Sequence, residues 1–180
     1  MIWNDRNEKY FGYFNDGKQD RYGMHIWFEN KGEIKLLRNR YVGEWRKGKR
    51  CGYGNLETNK FYYEGQFFND KLNGKGKITF KGVNHEYEGT FKDNEIDGRG
   101  IFRWENGDVY EGDMVKGKME GIGKYYYSNG QIYEGEYKAG AKHGKGRLIY
   151  PNGKIIEGIF NNGEPVGKGT YIESGYTNQI

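Results

Sequence analysis

Little of what builds an ordinary globular core is present in this chain. Hydrophobic residues make up only 34% of it, against roughly 45–50% in a typical domain, and aliphatic core formers are scarce. There is one cysteine, Cys51, so no internal disulfide can form and no thiolate cluster can hold a metal; a reducing, intracellular compartment is expected. No run approaches the roughly 18–20 apolar residues that span a bilayer, and the charged start Met1-Ile2-Trp3-Asn4-Asp5-Arg6 lacks the apolar centre of a secretory signal. A soluble protein is expected. Helix-period stretches are absent. Neither sign of charge dominates, because 29 basic and 25 acidic residues alternate along the chain. That pattern argues against the concentrated basic face of a nucleic-acid binder.

What replaces the missing aliphatics is glycine, at 31 residues, and aromatic rings, at 17% with 17 tyrosines. Disordered chains are poor in aromatics, so the composition points to a thin, sheet-rich structure. Rings and glycines also recur in phase. Tyr-Glu-Gly stands at Tyr63-Glu64-Gly65, Tyr87-Glu88-Gly89, Tyr110-Glu111-Gly112 and Tyr133-Glu134-Gly135, with variants at Tyr10, Tyr41 and Ile156. Starts from Tyr41 onward are 22, 24, 23, 23 and 23 residues apart, and eleven residues after each comes Gly-x-Gly, from Gly52/Gly54 to Gly167/Gly169. The first copy instead has Arg21 and Gly23. Seven copies therefore start near 10, 41, 63, 87, 110, 133 and 156, forming an array over 10–173 between short tails at 1–9 and 174–180. An insertion near 32–40 reads as a longer loop or a lengthened strand pair.

Each copy reads as two strands. Tyr87, Gly89 and Phe91 alternate with Glu88 and Thr90, and Gly98, Gly100, Phe102 and Trp104 alternate with Arg99, Ile101 and Arg103; period two is the mark of a half-buried strand. Asn106-Gly107, Asn129-Gly130 and Asn152-Gly153 supply hairpin-turn signals between copies. The predicted fold is all-β: an elongated, single-layer antiparallel meander of about seven tandem hairpins. Numbering each copy from its first residue, the simplest register sets position 1 opposite 16, 3 opposite 14 and 5 opposite 12. Tyr133 then faces Leu148, Gly135 faces Gly146 and Tyr137 faces Gly144, so rings cover strand glycines. On the other face Glu134 meets Arg147, Glu136 meets Lys145, Glu111 meets Lys124 and Glu64 meets Lys77.

The copy at 133–153 carries Tyr133-Glu134-Gly135-Glu136-Tyr137, Gly140, Gly144-Lys145-Gly146, Leu148 and Pro151-Asn152-Gly153. It resembles the MORN (membrane occupation and recognition nexus) repeat. The resemblance implies a scaffold of the kind found in cytoskeletal assemblies, including radial-spoke-head proteins of the ciliary axoneme. Alternatives it also suggests are a membrane–cytoskeleton linker that binds acidic phospholipid, or a regulatory segment of a larger enzyme complex.

No residue pattern implies catalysis, a metal or another cofactor. The Gly-x-Gly pairs lack the third glycine and following helix of a dinucleotide site, and His25, His85 and His143 sit at unrelated phases of the repeat. Partner proteins, as a helix or an extended peptide, are expected on the ring face through Tyr63, Phe67, Tyr87, Phe91, Trp104, Tyr110, Tyr125, Tyr127, Tyr133, Tyr137 and Tyr150. Exposed edge strands offer a route to oligomers. Lys35, Arg38, Arg40, Arg46, Lys47, Lys49 and Arg50 are the candidate contacts for lipid headgroups or an acidic partner.

Overall fold

A computed structural model describes the backbone of residues 2–4, 7–32, 34–173 and 176–179, and the side chains of 7–32 and 36–167. Every element is a strand. The chain divides into two units, Met1–Glu95 and Ile96–Ile180. The first holds β1 (Ile2–Asn4), β2 (Glu8–Asn15), β3 (Lys18–Lys31), β4 (Ile34–Arg46), β5 (Lys49–Glu57), β6 (Phe61–Phe68), β7 (Lys71–Phe80) and β8 (His85–Lys92). β9 (Glu95–Arg103) opens the second, followed by β10 (Val109–Val115), β11 (Lys118–Tyr126), β12 (Ile132–Lys138), β13 (Ala141–Ile149), β14 (Ile155–Asn161), β15 (Glu164–Glu173) and β16 (Tyr176–Gln179). Within each unit every strand pairs antiparallel with its neighbours in sequence. The insertion is a lengthened strand pair, because β3 and β4 stay in ladder as far as Lys31 opposite Ile34. Short strands also form in the segments expected as tails: β1 pairs with β2 and β16 with β15.

The tyrosine that opens each copy determines the local packing. Tyr10, Tyr41, Tyr63, Tyr87, Tyr110 and Tyr133 are all 0% exposed. In the copies starting at 10, 41, 63, 110 and 133 the ring lies on the facing glycine pair at positions 3 and 14. A Cβ at Gly76 would collide with Tyr63, at Gly123 with Tyr110 and at Gly146 with Tyr133. Each hydroxyl donates to the carbonyl three residues on: Tyr41 to Glu44 at 3.0 Å, Tyr63 to Gln66 at 2.9 Å and Tyr110 to Asp113 at 2.8 Å. A buried phenol is thereby satisfied without water.

The register differs from the expected one just beyond this contact. Positions 1 and 3 pair as read from the sequence, with Tyr133 opposite Leu148 and Gly135 opposite Gly146. A bulge follows, Glu136 pairs with His143, and Tyr137 faces Lys142 rather than Gly144. The first glycine of Gly-x-Gly takes a left-handed φ there, +56° at Gly144 and +66° at Gly121, as bulges require. Arg21 holds the same conformation in the first copy, at +60°. The position-4 side chain caps the freed amide: Glu44 accepts from the Tyr53 N–H at 2.7 Å, Gln66 from Lys75 at 2.8 Å and Glu136 from Lys145 at 3.0 Å. Glu136 is therefore a backbone cap and not the ion-pair partner of Lys145. The ring opposite the first glycine comes from the next copy, as Phe67 opposite Gly52, Phe91 opposite Gly74 and Phe160 opposite Gly144.

Ion pairs also close between copies. Glu64, Glu111 and Glu134 do lie opposite Lys77, Lys124 and Arg147. Yet Lys77 contacts Glu86 at 2.9 Å, Lys124 contacts Glu134 and Arg147 reaches Glu157 at 4.0 Å.

Turn chemistry follows a division of labour. Within copies, both residues of a two-residue turn have positive φ, as at Lys47-Gly48 (+51°, +82°) and Ala139-Gly140 (+52°, +92°), the type I′ form. Between copies, Asn106-Gly107 belongs to a three-residue loop: Gly107 N–H donates to Trp104 O at 3.0 Å, and Asn106 Oδ1 accepts from Asp108 N–H at 3.0 Å.

Two outcomes test these constraints in guanidinium unfolding. Gly76→Ala forces a methyl into the Tyr63 ring and should cost about 1–3 kcal/mol. Ala139→Asn places at left-handed φ a residue that tolerates it and should stabilise by about 1 kcal/mol.

Candidate docking face

The tyrosine side of the sheet carries two kinds of ring. At positions 1 and 5 they pack into the sheet, and within each unit they alternate in an edge-to-face chain that links successive copies. In the first unit it runs Phe14, Tyr10, Trp45, Tyr41, Phe67, Tyr63, Phe91, Tyr87, with centroids 5.0–5.4 Å apart. In the second, Tyr110, Tyr137, Tyr133 and Phe160 repeat it at 4.9–5.3 Å. Of the residues expected to touch a partner, Tyr63, Phe67, Tyr87, Phe91, Tyr110, Tyr133 and Tyr137 belong to this chain and are at most 4% exposed. Burial pushes the Tyr133 hydroxyl up to about 12, with Glu136 adding to it.

Positions 16 and 18 make the second row, toward the between-copy turns. Trp104, Tyr125, Tyr127 and Tyr150 are half-buried. Phe102, Trp104 and Tyr125 form a tilted ladder at 4.5 and 5.3 Å, and Tyr127 lies 4.5 Å from Tyr125. Asp108 anchors it by accepting from Tyr125 Oη at 2.8 Å and from Ser128 N–H at 2.7 Å. Burial alone would raise the Asp108 pKa, but these hydrogen bonds and that from Asn106 leave it lowered. These four rings are the part of the expected set that solvent, and hence a partner, can reach.

In the first unit the same two positions hold His25 and Trp27, which the expected partner-binding set does not include. Their phase was the signal available. The rings stack at 3.9 Å and 18°. His25 Nε2 meets Glu8 at 2.9 Å, yet burial, aided by Arg50, holds its pKa below 6.5 against the raising effect of Glu8. No group of three His, Cys, Asp or Glu side chains is placed to hold a metal among the described residues.

The basic set is divided. Arg40 pairs with Glu57 at 3.4 Å, and Arg50 is held by Asp70 through Nε and Nη2 while lying over Tyr41 and Phe67. Arg38, Arg46, Lys47 and Lys49 are exposed. The Lys35 side chain lies outside the described residues. No helix among the described residues is long and apolar enough to cross a membrane.

The family model described as MORN repeat matches residues 41–57, 63–82, 87–109, 110–132, 133–155 and 157–172. A solved structure of similar fold is the TCP domain of SAS-4 (dCPAP) from Drosophila melanogaster, in complex with a proline-rich motif of Ana2 (dSTIL). It is 12% identical, with 86% of this chain and 88% of that chain covered and a TM-score of 0.52.

A buried base whose pKa is depressed on folding takes up protons on unfolding between its folded value and 6.5, so stability falls as pH drops through that window. The melting temperature should therefore decline from pH 7 to pH 5. His25→Leu, with the residue found at this position in the copies starting at 41 and 133, should flatten that decline in scanning calorimetry.

Proposed function

The chain belongs to the MORN-repeat family, and on that footing we propose that it is a non-catalytic scaffold. It holds an extended segment of a partner protein against the half-buried rim of its ring face, within a cytoskeletal or axonemal assembly. The observation that carries this reading is the two-row division. Rings at positions 1 and 5 are consumed by packing, whereas Trp104, Tyr125, Tyr127 and Tyr150 stand partly open in a row. Large aromatics that remain reachable on a rigid sheet are the usual anchors of protein interfaces. The proline-rich motif bound by the SAS-4 domain supports an extended occupant rather than a helix. The phospholipid reading is the weaker one, since Arg40 and Arg50 are already committed to Glu57 and Asp70.

The double variant Trp104→Ser/Tyr127→Ser leaves the buried ring chain untouched. It should keep the circular-dichroism spectrum and lower partner recovery from a cytoskeletal extract by about tenfold or more, the effect of losing interface anchors. Unchanged recovery with a folded variant would overturn the docking rim.

A further inference from the structure

The ring face of the first unit is interrupted by a hollow of about 310 Å³, whose lining includes Trp27, Trp45 and Leu56 together with Gln19, Asn39 and Arg50. Its origin is a single departure from the repeat. Position 18 is Thr58 in the copy starting at 41, where the other copies carry Trp27, Phe80, Trp104, Tyr127 and Tyr150, and the last carries Glu173. With no ring there, the floor of the hollow is formed by Leu56 and Trp45, 8% and 5% exposed, and the half-buried Trp27 stands as a wall.

Two further observations describe the occupant. The side-chain amides of Gln19 and Asn39, both lining the hollow, make no hydrogen bond among the described residues, so a donor and an acceptor are available on each. The mouth is basic. Residues 31–50 hold eight Lys or Arg against two Glu. Lys47 and Lys49 flank Gly48, which lines the hollow, and Lys18 lies against Gly48. All three lysines are exposed and form no ion pair among the described residues. Of the nearby acids, Asp70 pairs with Arg50, Glu8 meets His25 at 2.9 Å, and Asp20 accepts the Lys47 backbone N–H at 3.4 Å.

We propose that this hollow is the anchor site for an acidic, proline-containing extended segment of a partner protein. This rests on the scaffold reading and adds the place and chemistry of recognition. A polyproline-type segment carries no internal hydrogen bonds and is already extended, so its backbone groups are free and little entropy is lost on docking. The prolyl ring lies against Trp27 over Leu56, the Asn39 and Gln19 amides pair with the flanking backbone, and neighbouring carboxylates meet Lys18, Lys47 and Lys49.

The test uses the full chain and three fluorescein-labelled peptides, of Pro-Glu, Pro-Gln and Pro-Lys repeats, followed by fluorescence anisotropy at physiological ionic strength. Pro-Glu should bind about tenfold tighter than Pro-Gln, and Pro-Lys weakest of the three. Trp27→Ala should weaken the Pro-Glu peptide by about 30-fold, and Lys47→Glu/Lys49→Glu should erase the preference for Glu. Thr58→Phe restores the ring that the next copy carries. It should block the peptide while the protein still melts cooperatively. Equal binding of all three peptides, or full binding by folded Thr58→Phe, overturns the proposal. Binding that depends on Trp104 and Tyr127 but not on Trp27 also overturns it, and leaves the scaffold reading standing. Capture by phosphatidylserine vesicles with no peptide binding overturns it in favour of a lipid site.

Discussion

In the copies starting at 10, 41, 63, 110 and 133 the opening tyrosine ring rests on two facing glycines, and most other features of these copies keep that contact in place. Any side chain at positions 3 or 14 would meet the ring, so both must be glycine. Glycine weakens a strand, and a ring laid across it is one way to offset the loss. The ring's hydroxyl reaches the position-4 carbonyl. The ladder breaks just there, the next glycine turns left-handed, and the position-4 carboxylate or amide closes the gap. Five positions of the repeat thus answer to one contact.

The same contact explains how a chain with so few aliphatic residues holds a sheet. A position-1 ring touches the position-5 ring of its own copy and of the next. Burial and edge-to-face geometry, worth about 0.5–1.5 kcal/mol per ring pair beyond area, are therefore shared across copy boundaries. Ion pairs cross the same boundaries, although exposed pairs add little. Stability of this kind is a nearest-neighbour sum.

Much of this was legible before any coordinates. Phase, strand alternation and the 1-to-16 and 3-to-14 pairings follow from period two and from glycine facing glycine, and they stand in the ladder as read. The bulge was not legible, because period two carries no sign of where a strand gains residues. The left-handed φ at Gly144 and the capping role of Glu136 depend on a hydroxyl reaching a carbonyl, which only geometry reveals. The face of the candidate site was readable but its depth was not. Tyr63 and Tyr127 share a face, and only the packing separates a ring at 0% exposure from one that is half-buried. The Asn-Gly pairs marked turns correctly, yet the type I′ turns fell to Lys47-Gly48 and Ala139-Gly140, since turn length is decided by the ladder on either side.

This division between constrained and unconstrained positions also says where specificity can reside. Positions 3 and 14 are all but closed to change by the ring above them, and position 1 by the glycines below. Positions 16 and 18 carry no such obligation, and they vary within this one chain: His25 with Trp27, Leu56 with Thr58, Tyr125 with Tyr127, Leu148 with Tyr150. Position 10, which overlies the buried rings, varies as widely, from Arg50 and Lys142 to Leu72 and Met119. A repeat that tolerates indole, phenol, aliphatic, amide and cation at these positions can differ from copy to copy without risk to its fold. Recognition by such a sheet is then a matter of which side chains happen to adjoin. Where Thr58 replaces a ring, a depression opens; where Trp104, Tyr125 and Tyr127 follow one another, a continuous aromatic strip results.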